Sequence, residues 1–175
     1  MEQFANRILR AMILDTSLYE EVEADKEALG QALGVVILSS LAAGLGSPTQ
    51  GIGILVAGVI LALTSWFIWA YLTYWIGTKI LPESQTHSDP KELLRVLGFA
   101  SAPGLIRILG IFPGIRIPVF IAATIGMIIA MIIAIKQALD YTSTRRAVAV
   151  CFIAWFIQVI IFAFIFILMG YPKKV

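Results

Sequence analysis

Glu20, Glu21, Glu23 and Asp25 fall within six consecutive residues, and Arg95, Arg107 and Arg116 punctuate an otherwise apolar stretch. These side chains have the most chemistry to offer. On a helix, Glu20 and Glu23, Glu23 and Glu27, and Glu21 and Asp25 are neighbours, so carboxylate pairs there could contact a divalent cation or a basic partner. The same carboxylates suit the positive end of a helix dipole, or could pair with Arg95, Lys136, Arg145 or Arg146. Arg107 and Arg116 flank a turn at Pro113-Gly114. With the first amides of the following helix they could hold a lipid phosphate or another anion. The plainer reading makes them snorkelling anchors around a kinked helix.

Nothing else in the sequence forms a catalytic set. There is no G-x-S-x-G elbow, H-E-x-x-H pair or phosphate-binding loop. His87 is the only histidine and Cys151 the only cysteine, which excludes an internal disulfide and leaves few parts for a metal site. We therefore expect no enzyme, no metal and no cofactor. A net charge of +2, dispersed along the chain, does not suggest nucleic acid binding.

The elements that must position these residues are membrane helices. Of 175 residues, 59% are hydrophobic and 14% charged, where a soluble domain has about a quarter charged. The expected fold is all-α: a polytopic membrane helical bundle of five transmembrane helices preceded by an N-terminal amphipathic interfacial helix. Residues 1–15 would form that helix. Phe4, Ile8 and Met12, with Ala5, Leu9 and Ile13, make its apolar face, and Arg7 and Arg10 lie opposite, towards headgroups. Residues 16–175 would form the membrane domain. A capping box, Ser17 to Glu20, starts a helix that begins acidic and continues unbroken into the first span.

The spans are expected at about residues 28–46, 52–78, 93–112, 117–139 and 147–170. With the N-terminus in the cytoplasm, nine lysines and arginines lie inside and four outside. This positive-inside bias places the chain in the cell inner membrane with its C-terminus outside. Pro103, between Gly98 and Gly104, should kink span three and free the carbonyl of Phe99. Pro118 falls in the first turn of the next helix, where proline is tolerated. Lys136 and Asp140, four apart, look like a local ion pair.

Helices in lipid associate through close packing, so small residues mark contacts. Ala122, Gly126, Ala130 and Ala134 form one row in span four, and Gly30, Gly34, Ala42 and Gly46 another in span one. These rows predict that spans one and four are the central helices.

Three segments, "YEEVEAD…QALGVVILSSLAAGLG", "LLRVLGFASAPGLIRILGIFP" and "IKQALDYTSTRRAVAVCFIAW", together resemble the short bacterial branch of the Yip (Ypt-interacting protein) membrane-domain family. The resemblance runs from about Arg7 to the end of span five. It implies five spans, a cytoplasmic N-terminus and a very short external C-terminus. Eukaryotic members of the family bind Rab-type GTPases and act in vesicle traffic or membrane shaping. Their longer N-terminal region and its signature motif do not occur in this sequence, and the resemblance supplies no catalytic residues.

The expected function is that of a non-enzymatic membrane protein organising lipids and protein partners, in the membrane or the cytoplasm, or assembling as a homo-oligomer. The competing class is a small transporter, channel or lipid-moving protein built on kinked span three and its arginines. An organiser should have a packed, ligand-free interior. A transporter should have a polar cavity reaching mid-membrane beside Pro103.

Overall fold

A computed structural model describes residues 2–48 and 51–168. The end of the fifth span at Gly170, together with Pro172, Lys173 and Lys174, lies outside the described residues. Seven α-helices account for most of the described residues: α1 (Glu2–Met12), α2 (Thr16–Ala24), α3 (Ala28–Leu45), α4 (Ile52–Trp75), α5 (Pro90–Phe99), α6 (Arg116–Ala138) and α7 (Thr144–Leu168). A π-helical turn, Ile76–Ile80, extends α4, and a 3₁₀ segment, Ala102–Ile111, continues α5. Five of these units are long and apolar enough to cross a membrane: 28–45, 52–80, 90–111, 113–138 and 144–168.

The helix through the acidic residues is not continuous. Asp25 is extended (φ −83°, ψ 99°) and ends α2, because its carboxylate accepts from the Glu27 amide and pairs with Arg7 at 2.8 Å. The start of α2 also differs from expectation. Asp15, not Ser17, is the N-cap and accepts from the Ser17 amide. A true capping box occurs instead at Asp89 and Glu92, ahead of Pro90 in the first turn of α5.

Span three is the central helix, which corrects the expectation for spans one and four. Every residue from 93 to 104 is buried. Of its apolar window 67% is buried, against 33% or less in the other four spans. The α4 window has none buried, so its aliphatic side chains face outward, as lipid-facing residues should. Within the α3 row, Gly30 has no atom within 4 Å of a Cβ built on it, and Gly34 meets only the ring of Phe4. The face of α3 that packs inward runs through Ala28, Ala32, Val35, Ser39, Ala42 and Gly46. In α6, Ala130 and Ala134 are buried and Gly126 lies against Pro103, whereas Ala122 is exposed.

The seam between α3 and span three is built from small residues in matching steps. A Cβ on Gly98 would meet Ala32, one on Gly104 would meet Ser39, and one on Gly110 would meet the carbonyl of Gly46. Positions 32, 39 and 46 are seven apart and 98, 104 and 110 six apart. Seven α-helical residues rise about 10.5 Å and six 3₁₀ residues, as from Gly104 to Gly110, about 12 Å, so the two ladders stay nearly in register there. The change of helix type thus lets a glycine on span three meet α3 at each step.

Helix α1 packs on the bundle rather than turning its arginines outward. Phe4, Ile8 and Met12 pack on the core, while Leu9 and Ile13 remain exposed. Arg7 is only 3% exposed. Its guanidinium lies 2.8 Å from both Glu21 and Asp25 and donates to Gln31 Oε1 at 2.9 Å. Arg10 pairs with Asp15 at 2.7 Å and also with Glu21. Arg7→Ala should therefore strand two carboxylates and release α1 from α2. Because those carboxylates are about a third exposed, we expect a loss of about 2 kcal/mol rather than the larger cost of a fully buried break. Faster amide exchange in residues 2–24 than in α5 would accompany it.

The loops at the acidic end are tied together as well. Glu83 accepts from the Thr142 amide (2.9 Å), the Thr142 hydroxyl (2.8 Å) and Gln85 (2.7 Å), and these bonds hold its carboxyl down at about 2. Tyr141 Oη lies 2.7 Å from the carbonyl of Leu81 and 3.0 Å from that of Gly77, fixing the π-helical turn, and burial pushes this phenol up to about 12.

No ion pair joins Lys136 to Asp140 among the described residues. Asp140 instead takes a left-handed conformation (φ 53°) in a Schellman closure of α6, with Tyr141 N–H donating to the Lys136 carbonyl and Asp140 N–H to that of Gln137. Asp140→Gly should raise stability by about 0.5–1 kcal/mol, read as a higher thermal midpoint in lipid nanodiscs.

Candidate functional site

The predicted site residues separate into three places. At the acidic end, Arg95 is 5% exposed and donates to the last carbonyls of α2, to Val22 O at 3.0 Å and to Glu23 O. It clamps α2 by capping the negative end of its dipole, far along the chain from Arg107 and Arg116. Glu21 and Asp25 are held well below the usual carboxylate range, Glu21 by Arg10 and Asp25 by Arg7. Glu20 accepts from Gln137 at 2.7 Å. Glu23 is pushed up to about 7, chiefly by burial and then by Glu92 and Asp140, with Arg95 opposing. Among the described residues, no three of His, Cys, Asp and Glu gather into a group able to hold a metal ion.

At the centre, Pro103 does not open a wet kink. From Ser101 onward the hydrogen bonds shorten by one residue: Ser101 N–H donates to Gly98 O at 3.2 Å and Gly104 N–H to Ser101 O at 3.0 Å. Shifting to 3₁₀ winding satisfies the backbone within the helix. Ala102, Pro103 and Gly104 are buried among α3 and α6.

At the opposite end, Arg107 and Arg116 have separate environments. The short 3₁₀ turn Pro113–Ile115 joins the two spans. Arg116 folds back to donate to Gly110 O at 3.0 Å, so the preceding helix's terminal carbonyls relieve its conflict with the α6 dipole. Arg107 donates to Thr124 Oγ1 at 3.1 Å and its guanidinium carbon lies 5.7 Å from the centroid of the Phe120 ring. Its buried Nε has no hydrogen-bond partner.

Arg107 lines a cavity of about 1230 Å³ bounded by α3, α4, span three, α6 and α7. Its walls are almost wholly apolar, and among the described residues Arg107 is the single charged one that lines it. Deeper in, Gln158 of α7 donates to Ser65 of α4 but leaves its Oε1 without a partner, and Trp69 Nε1 is likewise unpaired. The interior is therefore packed beside Pro103 and open off-centre, a combination that neither expected pattern described. Sequence reading missed Gln158 and Ser65; a lone glutamine inside a 25-residue apolar helix was the available signal.

Five membrane-length apolar helices in this order, with α2 capped on the third span, can be compared with known families. The Yip1 domain model matches residues 17–166. This chain belongs to the Yip1-domain family. Its Yip1 domain covers α2 to nearly the end of α7, so the acidic end, the central seam and the Arg107 cavity all lie within it. No curated protein and no solved structure matches the chain. The Yip1-domain membership establishes a multi-pass membrane protein.

Proposed function

We propose that this Yip1-domain protein is a non-enzymatic organiser of the cell inner membrane, with its N-terminus cytoplasmic and its C-terminus outside. It works by holding lipid, a second copy of itself or a protein partner, in a membrane-shaping or trafficking-like role. The closed centre is the observation that carries this reading. Span three, where a transporter would need its path, is buried over residues 93–104 and packed against α3 and α6 through glycines, with the cavity to one side of it. The nine-to-four excess of basic residues supports the orientation.

Native mass spectrometry of the protein ejected directly from membrane vesicles tests the reading. Masses corresponding to a second copy, a protein partner or defined retained lipids are expected. Bare monomers, or gradient-driven solute flux in proteoliposomes that disappears in R107Q, would overturn it in favour of a transporter.

A further inference from the structure

We propose that the cavity beside Arg107 is a binding site for an amphiphile with an acyl chain and an anionic headgroup, whose oxyanion is read by Arg107. The proposal goes beyond the organiser reading and rests only on the membrane placement of the five spans. Three observations converge on it. The first is charge. Arg107 and Arg116 lie at the end of the bundle opposite the α1–α2 cap. Among the described residues the ion-paired carboxylates, Asp15, Glu21, Asp25 and Glu83, are taken by Arg7, Arg10 and Arg146, and none pairs with Arg107 or Arg116. No carboxylate among them therefore supplies the counter-charge of Arg107, and a cation left unpaired at the edge of hydrocarbon is costly.

The second is geometry. Thr124 and the Phe120 ring hold the guanidinium at one edge, and Thr124 is its single hydrogen-bond partner among the described residues. Thr124 already spends its own hydrogen on the Phe120 carbonyl at 2.8 Å, so it can only accept from Arg107. Arg107 is four residues from the end of its 3₁₀ segment, roughly 8 Å along the axis, a depth suited to a headgroup oxygen. The third is the space itself. A volume of about 1230 Å³ exceeds the roughly 300–1,000 Å³ usual for small-molecule sites, and its apolar walls match hydrocarbon. Gln158 and Trp69 belong to the wall of this space, while their unpaired Oε1 and Nε1 are closed off from it.

Trp66, Trp69 and Trp155 line the cavity and Trp75 does not; Trp155, 53% exposed, is also open to bulk lipid and is replaced by another aromatic ring so that the wall is kept. In the W75F/W155F background, fluorescence quenching by lipids with brominated acyl chains therefore reads the cavity. The protein in phosphatidylcholine vesicles is titrated with brominated phosphatidylglycerol, brominated phosphatidylcholine or brominated stearate. Quenching by phosphatidylglycerol should saturate at a lower mole fraction than by phosphatidylcholine, and R107Q should weaken its apparent affinity about tenfold, while R107K keeps the preference. Stearate matching phosphatidylglycerol would assign a fatty acid as an equally good occupant; stearate failing would assign a phospholipid. Inorganic phosphate that displaces the preference would show a free-anion site and overturn the amphiphile. Equal quenching by the two brominated phospholipids, loss in R107K as well as R107Q, or no quenching because a second copy fills the space would also overturn it.

Discussion

Gly46→Ala should destabilise the bundle by about 3 kcal/mol, the upper part of the range for overpacking a close contact. A Cβ on Gly46 would lie 1.9 Å from the carbonyl oxygen of Arg107 and 3.0 Å from its carbon. Both are backbone atoms, so no side-chain rotation relieves the clash, and α3 must move away from span three. That movement also opens the two contacts beneath, Ser39 with Gly104 and Ala32 with Gly98, because all three belong to one ladder. Conformational preference is not the cost: Gly46 has φ −76°, which any residue adopts. Gly30→Ala on the same helix provides the contrast. Its new methyl meets nothing within 4 Å, and the gain in helix propensity should stabilise by about 0.5–1 kcal/mol. Thermal midpoints of the two variants in the same lipid should therefore move in opposite directions. Equal midpoints would remove the seam from its central place in the fold.

How the helices pack was less legible in the sequence than where they are. The five spans follow from hydropathy, because a bilayer demands about 20 apolar residues whatever the partner helix. Which face of α3 packs inward depends on the surface it meets. Its glycines Gly30 and Gly34 drew attention to the wrong row, and the inward row mixes valine, serine and alanine with Gly46. Pro103 signalled an interruption of span three, but ten residues of 3₁₀ winding are stabilised by the step of the neighbouring α3 ladder, not by the proline alone. The break at Asp25 is likewise non-local. It depends on Arg7, eighteen positions earlier, whose burial against α2 draws that carboxylate out of helical register. Arg107 was visible as a charge in lipid, yet its cavity needs residues from five elements between positions 36 and 163.

Glu23→Gln should stabilise the protein above pH 7 by about 2–3 kcal/mol and flatten its pH dependence between about pH 5 and pH 7. Glu23 lies at the end of α2, where burial, followed by Glu92, Asp140 and Glu20, pushes its carboxyl up to about 7. Arg95 only partly offsets this, since its donors are already engaged by the Val22 and Glu23 carbonyls. In the unfolded chain the same carboxyl titrates near 4.3. Between those values the folded state holds a proton that the unfolded state has released. Stability associated with this group is therefore complete below the unfolded value and falls as pH rises through the folded one. Glu83 has the opposite sign: its carboxyl, held at about 2 by the Thr142 and Ser143 bonds, contributes above the unfolded value and is lost as pH falls towards 2. Together they place the stability maximum on the acid side of neutrality. The substitution removes only the alkaline slope, because glutamine keeps the shape of Glu23 without its charge. Unfolding measured from pH 4 to pH 8 should show the two curves converging near pH 5. Parallel curves across that range would mean that Glu23 is ionised throughout, with Arg95 supplying its counter-charge and α2 held equally firmly at every pH.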